Sequence, residues 1–370
     1  MMAPLMPHDH RSRLAQAADE ARGAGVDAVV VAPSPDLVYL IGYDALPLER
    51  LTALIVRPGT DPVLLVPKLE QPRAGDSAAG GLLEIATWRD EEDAYQVIRH
   101  MLPRSGTFAV SDRMWAIHVL GLQAVAPEAK LVPASQVLSR LRARKDQGEI
   151  ELLAQASRSA DQAFDRIVRE RLSGRQERDV ARSLREYLVE AGHDEALFWI
   201  VGSGPNGASP HHDPGDREIG AGESVVLDFG GRRAGYCSDI TRTVSVGEPS
   251  GEVREVHDVV RRAQEAAFQA VKPGVAAEEV DGAARRVIEQ AGYGESFIHR
   301  TGHGIGLEEH EPPYIVRGNA EPLEAGMTFS IEPGIYLQGC FGVRIEDIVA
   351  VTGDGAERLN QASRDLTIVA

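Results

Sequence analysis

Four acidic side chains and one histidine, Asp228, Asp239, His303, Glu332 and Glu346, interrupt apolar or glycine-bounded runs in the C-terminal half of this chain. Val225-Val226-Leu227-Asp228-Phe229-Gly230-Gly231 and Asp239-Ile240-Thr241-Arg242-Thr243-Val244 read as strands. Side chains alternate faces along a strand, so Asp239, Thr241 and Thr243 point one way. By the same alternation Thr328, Ser330 and Glu332 share a face opposite Phe329 and Ile331, and Arg344 and Glu346 point away from Val343 and Ile345. Burying an unpaired charge inside such a sheet is costly. A wet sheet face accounts for any one of these acids, but the ordered set of five calls for cations. Four carboxylates and one imidazole suit a pair of hard or borderline divalent ions better than a structural zinc, and a two-metal site activates water.

A turn through residues 232–235 sets Asp228 and Asp239 on adjacent strands. If they face one another, their Cβ atoms lie about 4.5–5.5 Å apart, within reach of two metals about 3.5–4 Å apart. Without cations, one of two such buried carboxylates would protonate. Three histidines, His299, His303 and His310, lie in the glycine-rich run Phe297-Ile298-His299-Arg300-Thr301-Gly302-His303-Gly304-Ile305-Gly306-Leu307-Glu308-Glu309-His310-Glu311. Glycine lets backbone approach a site closely, and imidazole serves as both ligand and proton carrier near neutral pH.

At 370 residues the chain is long enough for two domains. Residues 1–141 alternate helical and strand patterns and read as an α/β domain: a helix over 11–22, a strand over 26–32, a hairpin of 51–56 with 62–66 through Pro58-Gly59-Thr60-Asp61, and strands at 85–88 and 108–110. This part carries no clustered ligands and no phosphate-loop glycines. Residues 140–148 are charged, lack apolar periodicity and mark the boundary. Residues 142–370 read as an α+β domain, with helices near 177–191, 253–271 and 277–291 covering a largely antiparallel sheet. The first and last of these helices stop at Gly192 and Gly292.

The formal net charge of −17 argues against nucleic-acid or anionic-membrane partners. The two cysteines, Cys237 and Cys340, imply no disulfide framework and fit a reducing cytosol. No apolar run approaches a membrane span. Residues 1–13, with His8 and His10, read as a frayed terminus without the apolar core of a signal peptide. A cytoplasmic protein is expected.

These motifs resemble the pita-bread metallopeptidase family, which includes methionine aminopeptidase, prolidase and aminopeptidase P, together with metal-free creatinase. The resemblance covers nearly the whole chain: a creatinase-type N-terminal domain followed by a pita-bread catalytic domain from about Asp146 onward. It implies that Asp228 binds one metal, that Asp239 and Glu346 bridge both, and that His303 and Glu332 complete the second. A bridging hydroxide then attacks the scissile carbonyl, with Glu332 handling its proton. His310 stabilises the tetrahedral intermediate or contacts the substrate carbonyl, His299 lines the pocket, and Arg344 stands behind the bridging glutamate. The run Gly204-Pro205-Asn206-Gly207-Ala208-Ser209-Pro210-His211-His212 resembles a prolidase-type stretch in which His211 meets substrate, with His212 its adjacent rival. Cys237 is read as packing.

The extra N-terminal domain and the Arg-Ile-Glu-Asp run separate the chain from methionine aminopeptidase, and the intact ligand set separates it from creatinase. The resemblance therefore implies an Xaa-Pro exopeptidase, leaning to a dipeptidase with aminopeptidase P as the rival, acting on a small peptide with proline second. A non-catalytic scaffold on the same fold is the alternative of another class, and retention of all five ligands weighs against it. A dipeptidase needs an arginine for the proline carboxylate; Arg317 and Arg344 are the candidates. Oxygen-rich ligation suits Mn²⁺, and Co²⁺, Zn²⁺ and Fe²⁺ also fit. The resemblance suggests a homodimer through the N-terminal domain.

Overall fold

Alternating apolar runs and glycine stops become two compact units in a computed structural model that describes residues 9–370, one ending at Arg142 and the other beginning at Ala143. The reading of residues 1–8 lies outside the described residues. Residue 9 onward departs from a frayed terminus: Asp9 accepts from Ser12 N and caps the first helix, which His10 opens.

The N-terminal unit is a six-stranded sheet built from β1 (Ala28–Val31), β2 (Ala53–Val56), β3 (Val63–Pro67), β4 (Glu84–Trp88), β5 (Gly106–Val110) and β6 (Ala129–Pro133), in the order β4-β3-β2-β1-β5-β6. β2 and β3 form the expected antiparallel hairpin, while β1–β5, β5–β6 and β3–β4 are parallel. Six helices accompany the strands: α1 (His10–Gly23), α2 (Pro35–Ile41), α3 (Gln71–Asp76), α4 (Ala94–Arg99), α5 (Ala116–Val125) and α6 (Ser135–Ala143). β1 is buried on both faces, as its unbroken Ala-Val-Val-Val run requires.

The C-terminal unit uses one plan twice, a helix pair laid over an antiparallel sheet. α7 (Gln147–Ile167) and α8 (Glu177–Glu190) precede β7 (Glu195–Ser203), β8 (Ser224–Arg233), β9 (Tyr236–Cys237) and β10 (Ile240–Val246). α9 (Gly251–Ala270) and α10 (Ala277–Gln290) precede β11 (Gly302–Gly304), β12 (Glu311–Ile315), β13 (Thr328–Ile331), β14 (Gly334–Leu337), β15 (Phe341–Arg344), β16 (Asp347–Val351), β17 (Ala356–Arg358) and β18 (Thr367–Val369). The first sheet runs β18-β10-β8-β7, the second β12-β11-β13-β16-β17, and β14–β15 is a separate hairpin. Each helix pair seals its own core: Ala160, Phe164, Leu184 and Leu188 with Leu227 and Phe229, and Val256, Val260, Val280 and Ile288 with Phe329, Ile331 and Val343.

Asp146 and Glu149 form a reciprocal capping box at the start of α7. So the charged stretch read as the boundary holds the end of one helix and the cap of the next.

His257 on α9 is buried with no ion pair among the described residues, and burial holds its imidazole down to about 4, with Arg261 adding to the effect against the smaller pull of Asp365 and Asp258. The unfolded chain takes up a proton below about pH 6.5, and the folded chain refuses it down to about 4. The neutral form's advantage is complete above 6.5 and is lost as pH falls towards 4, at up to about 1.4 kcal/mol per pH unit. His257→Leu is expected to lose about 1–2 kcal/mol less than wild type in urea unfolding between pH 7 and pH 5; an identical loss in both proteins contradicts this.

Candidate metal centre

β8 and β10 pair with Thr241 opposite Asp228, so the facing partner of Asp228 is Thr241 and not Asp239. Asp239 lies just before β10, two residues from Thr241 and on the same side of the strand. It is therefore a diagonal neighbour of Asp228, which corrects the face-to-face expectation. The link from β8 through β9 is a two-residue hairpin whose Ala234 and Gly235 both have positive φ, 50° and 87°. A Cβ on Gly230 would stand 2.1 Å from Ser238 O, so only glycine lets the chain before Asp239 come this close.

The other donors arrive at strand ends. His303 is the middle residue of β11, and Glu332 follows β13 directly. The run 343–347 is not one strand: it breaks between β15 and β16, and Glu346 sits at the break, with its backbone N–H donating to Thr241 O at 3.0 Å. The structure thus brings all four acids and His303 into one region, where Asp228, Asp239, His303 and Glu346 are buried and Glu332 is half-buried. Asp239, His303 and Glu346 offer ligand atoms within 4.8 Å of one another. His303 Nε2 stands 3.2 Å from Glu332 Oε1 and 3.7 Å from Asp239 Oδ2. His303 Nδ1 is 3.1 Å from Gly304 O, and a carbonyl only accepts, so Nδ1 carries hydrogen and Nε2 faces the carboxylates.

Three oxygens here, Asp228 Oδ1, Asp239 Oδ1 and Glu346 Oε1, are buried with no hydrogen-bond partner among the described residues. Burial, with the nearby carboxylates, pushes Asp239 and Glu346 well above the usual carboxylate range. Burial raises Asp228 as well, against the pull of Arg344. Glu332 goes the other way, to about 2, because its contact with His303 outweighs its burial. Unpartnered acceptor oxygens crowded beside an imidazole nitrogen are a donor set that divalent cations complete.

The surrounding residues hold this set in place. Thr241 Oγ1 donates to Glu346 Oε2 at 2.6 Å and accepts from Arg344 Nε at 3.1 Å. Arg344 donates to Asp228 Oδ2 at 2.5 Å, to the Tyr336 hydroxyl at 2.7 Å and to Pro210 O at 3.4 Å. The Tyr336 hydroxyl in turn lies 2.8 Å from His299 Nε2, so Asp228, Arg344, Tyr336 and His299 form one chain. Ser330 Oγ donates to Glu332 Oε1 and accepts from His303 N, both at 3.0 Å. His310 packs edge-on against His303 with ring centroids 4.0 Å apart. Its imidazole is held down to about 4 by burial, then by the charges of His303 and Arg300.

The remaining candidates separate. His212 Nε2 is bound to Glu177 Oε2 at 2.8 Å. Glu177, at the start of α8, is fully buried and also accepts from Ser203 and Asn206. His211 is exposed. Arg317 is not brought to the centre: its side chain is 76% exposed and pairs with Glu289 at 3.6 Å. Its nearness in sequence to His310 misled because β12 carries the chain away between them. Cys237 is buried, its thiol pushed up to about 12 by burial.

Sequence reasoning missed Thr241, Tyr336 and Glu177 as parts of this arrangement. Thr241 carried a signal, since it shares the face of Asp239. Tyr336 and Glu177 carried none.

Two family models match the chain: Metallopeptidase family M24 over residues 151–353 and the Creatinase/Prolidase N-terminal domain over residues 13–144. A Mycobacterium bovis protein named "Probable dipeptidase PepE" is 47% identical over 360 residues, covering 96% of each chain. A Lactobacillus helveticus "Xaa-Pro dipeptidase" is 40% identical over 339 residues, covering 90% of this chain and 92% of that one. The crystal structure of dipeptidase PepE from Mycobacterium ulcerans superposes with a TM-score of 0.94 at 45% identity, over 97% of this chain and 98% of the other.

Proposed function

Since the chain belongs to metallopeptidase family M24 and is a peptidase, we propose that it is a dinuclear-metal Xaa-Pro dipeptidase, its metals held by Asp228, Asp239, His303, Glu332 and Glu346. The observation that carries this is the group of buried, unpartnered carboxylate oxygens facing His303. Two divalent ions bound there supply Lewis acidity at the scissile carbonyl and bring a water's pKa near neutrality. The oxygen-rich set favours Mn²⁺.

The chain's own residues do the rest. Glu332, kept ionised beside His303, takes the proton of the attacking water and passes it to the leaving nitrogen. His310, kept neutral by its surroundings, donates a hydrogen bond to the carbonyl oxygen as charge builds there. His211 meets the substrate from the other side, while His212 anchors its loop to Glu177. Arg344 and Tyr336 fix Asp228 and His299 together.

The X–Pro bond is a tertiary amide with no N–H and a constrained ring. In this reading His211, His299 and His310 accommodate the ring without asking for that N–H. The relatives' names support a dipeptide over a longer substrate. The test is turnover of the Mn²⁺-loaded protein on Ala-Pro and on Ala-Pro extended by two residues. Cleavage of Ala-Pro, with the longer peptide at least ~10-fold slower in kcat/KM, is expected from the loss of a charge-assisted contact. Preference for the longer peptide makes the chain an aminopeptidase P.

The assembly proposed is a homodimer through the N-terminal unit. Leu46, Leu48, Trp115, Ile117 and Leu120 stand exposed there, and His118 Nε2 ties the α5 residues to Leu48 O at 3.2 Å, which makes an apolar surface suited to a second copy.

A further inference from the structure

In the reading above, His310 donates to the carbonyl oxygen as charge builds there, and a donor of that kind works only if it is well aimed. Among the described residues its ring makes no hydrogen bond; it meets the His303 ring edge-on, with centroids 4.0 Å apart. The aim of His310 must therefore come largely from the backbone on either side of it.

Glu311, the next residue, opens β12. Its carboxylate accepts from Lys145 Nζ at 2.6 Å, and the Lys145 and Glu311 side chains are 1% and 3% exposed. An ion pair buried this deeply adds little net stability, because stripping both charges of water offsets their attraction. Neither charge can leave the other without a large penalty, however, so the pair fixes a position.

The surroundings show what is held. Along β11 and β12, His303 pairs with Tyr314 but Gly304 pairs with Glu311, a shift of register beside the ligand histidine. Such irregularities re-aim side chains. The loop from Gly304 to His310 closes over the ion pair: a Cβ on Gly306 would stand 2.5 Å from Glu311 Oε1 and 3.0 Å from Lys145 Cε. Only glycine lets the backbone pass this close. Gly306 N donates to Glu308 O at 3.0 Å, and Gly306 O accepts from Cys237 N at 2.8 Å. At the other end, Lys145 N donates to Gly326 O and Gly326 N donates to Val351 O, both at 2.9 Å. Gly326 lies just before β13, the strand that Glu332 follows. Lys145 thus joins the frame carrying Glu332, through its backbone, to the residue after His310, through its ammonium.

We propose that Lys145 is a positioning residue, which through Glu311 sets His310 against the substrate carbonyl. The inference rests on the role given to His310 above and adds the pair that enforces it. A hydrogen bond to developing charge is stronger in the transition state than in the ground state, so its loss lowers kcat and leaves KM nearly unchanged.

K145M alone strands a buried carboxylate. The experiment therefore uses K145M/E311M, which removes both charges, and E311D, which keeps both and shortens the arm by one methylene. Each is made in wild type and in H310A, loaded with Mn²⁺, and assayed on Ala-Pro, with bound metal and Tm followed in the same samples. Bound Mn²⁺ and KM are expected to stay close to wild type. In K145M/E311M kcat is expected to fall about 10- to 100-fold, the scale of a misplacement near 1 Å, with a smaller loss in E311D. In H310A, itself about 10²–10³-fold slower, neither change is expected to lower kcat by more than about 2-fold, because residues acting as one unit are not additive.

Wild-type kcat in both variants, with H310A slow, overturns the role of Lys145 and leaves that of His310 standing. The same fold loss in H310A as in wild type also overturns it, since additive losses mean independent effects. So does loss of bound Mn²⁺ in step with kcat, which makes the pair a support of the metal centre instead. If K145M/E311M does not fold, E311D decides by the same comparison. An H310A protein as fast as wild type overturns the role of His310 and this inference together.

Discussion

Asp239→Ala and Glu346→Ala are each expected to abolish turnover, lowering kcat by about 10⁴-fold or more, the scale seen when one member of a catalytic unit is removed. Both carboxylates lie in the group whose ligand atoms fall within 4.8 Å of one another. Each has an oxygen buried without a partner among the described residues, and in the proposed centre each would hold metal, so losing one would empty or distort the site. Bound Mn²⁺ per chain is expected to drop in step with activity.

A stability measurement separates this from unfolding. In the metal-free protein these carboxylates are buried among like charges, which costs free energy. Metal-free Asp239→Ala is therefore expected to melt at or above metal-free wild type. Added Mn²⁺ should raise the wild-type Tm but leave the variant's unmoved, since only a protein that binds the ion gains from it. Near-normal turnover in either variant, with metal content verified, contradicts the assignment.

Arg344→Met carries the second large effect, and here stability and rate fall together. The guanidinium is 3% exposed and joins Asp228, Thr241 and Tyr336. Removing one partner of a buried charge pair costs about 3–5 kcal/mol, because the charge left behind is uncompensated. Asp228 is that charge. Freed from Arg344, it shifts relative to Asp239, and the Tyr336–His299 end of the chain loses its anchor. kcat is expected to fall by about 10²–10³-fold, the scale for losing one preorganised polar group.

Arg344→Lys restores charge without the planar fork and should recover part of the stability but little of the rate. Equal recovery of both would mean that Arg344 only balances charge and does not orient Asp228.

The alternation of residues 328–332 and 343–346 was enough to see which side chains face the centre, because a buried charge among Phe329, Ile331, Val343 and Ile345 has few reasons to be there. Helix ends at Gly192 and Gly292 were legible for a similar reason: φ of 105° and 89° is open to glycine and strained for others. What failed was register and distance along the chain. Period-2 reasoning put Asp228 and Asp239 on neighbouring strands but could not fix which residue faces which, since that depends on the two-residue Ala234-Gly235 turn, and the answer was Thr241.

Glu177 showed only as a helix start, although it is the buried acceptor that holds His212 and the loop around Asn206. Its partners lie far along the chain and share no periodicity with it. Arg317 was a candidate because it follows His310 in sequence, whereas the structure leaves its side chain exposed beside Glu289. The stretch 140–148 read as a boundary because its charged residues serve the end of α6 and the cap of α7 and so show no apolar stripe.

The most direct test of the central claim is a titration of chelator-stripped protein with Mn²⁺, following bound metal and Ala-Pro turnover in the same samples. The expected result is no turnover without metal and full turnover only as the second equivalent per chain is bound. Turnover in the stripped protein, or saturation of activity at a single equivalent with no further binding, would contradict a two-metal hydrolytic centre.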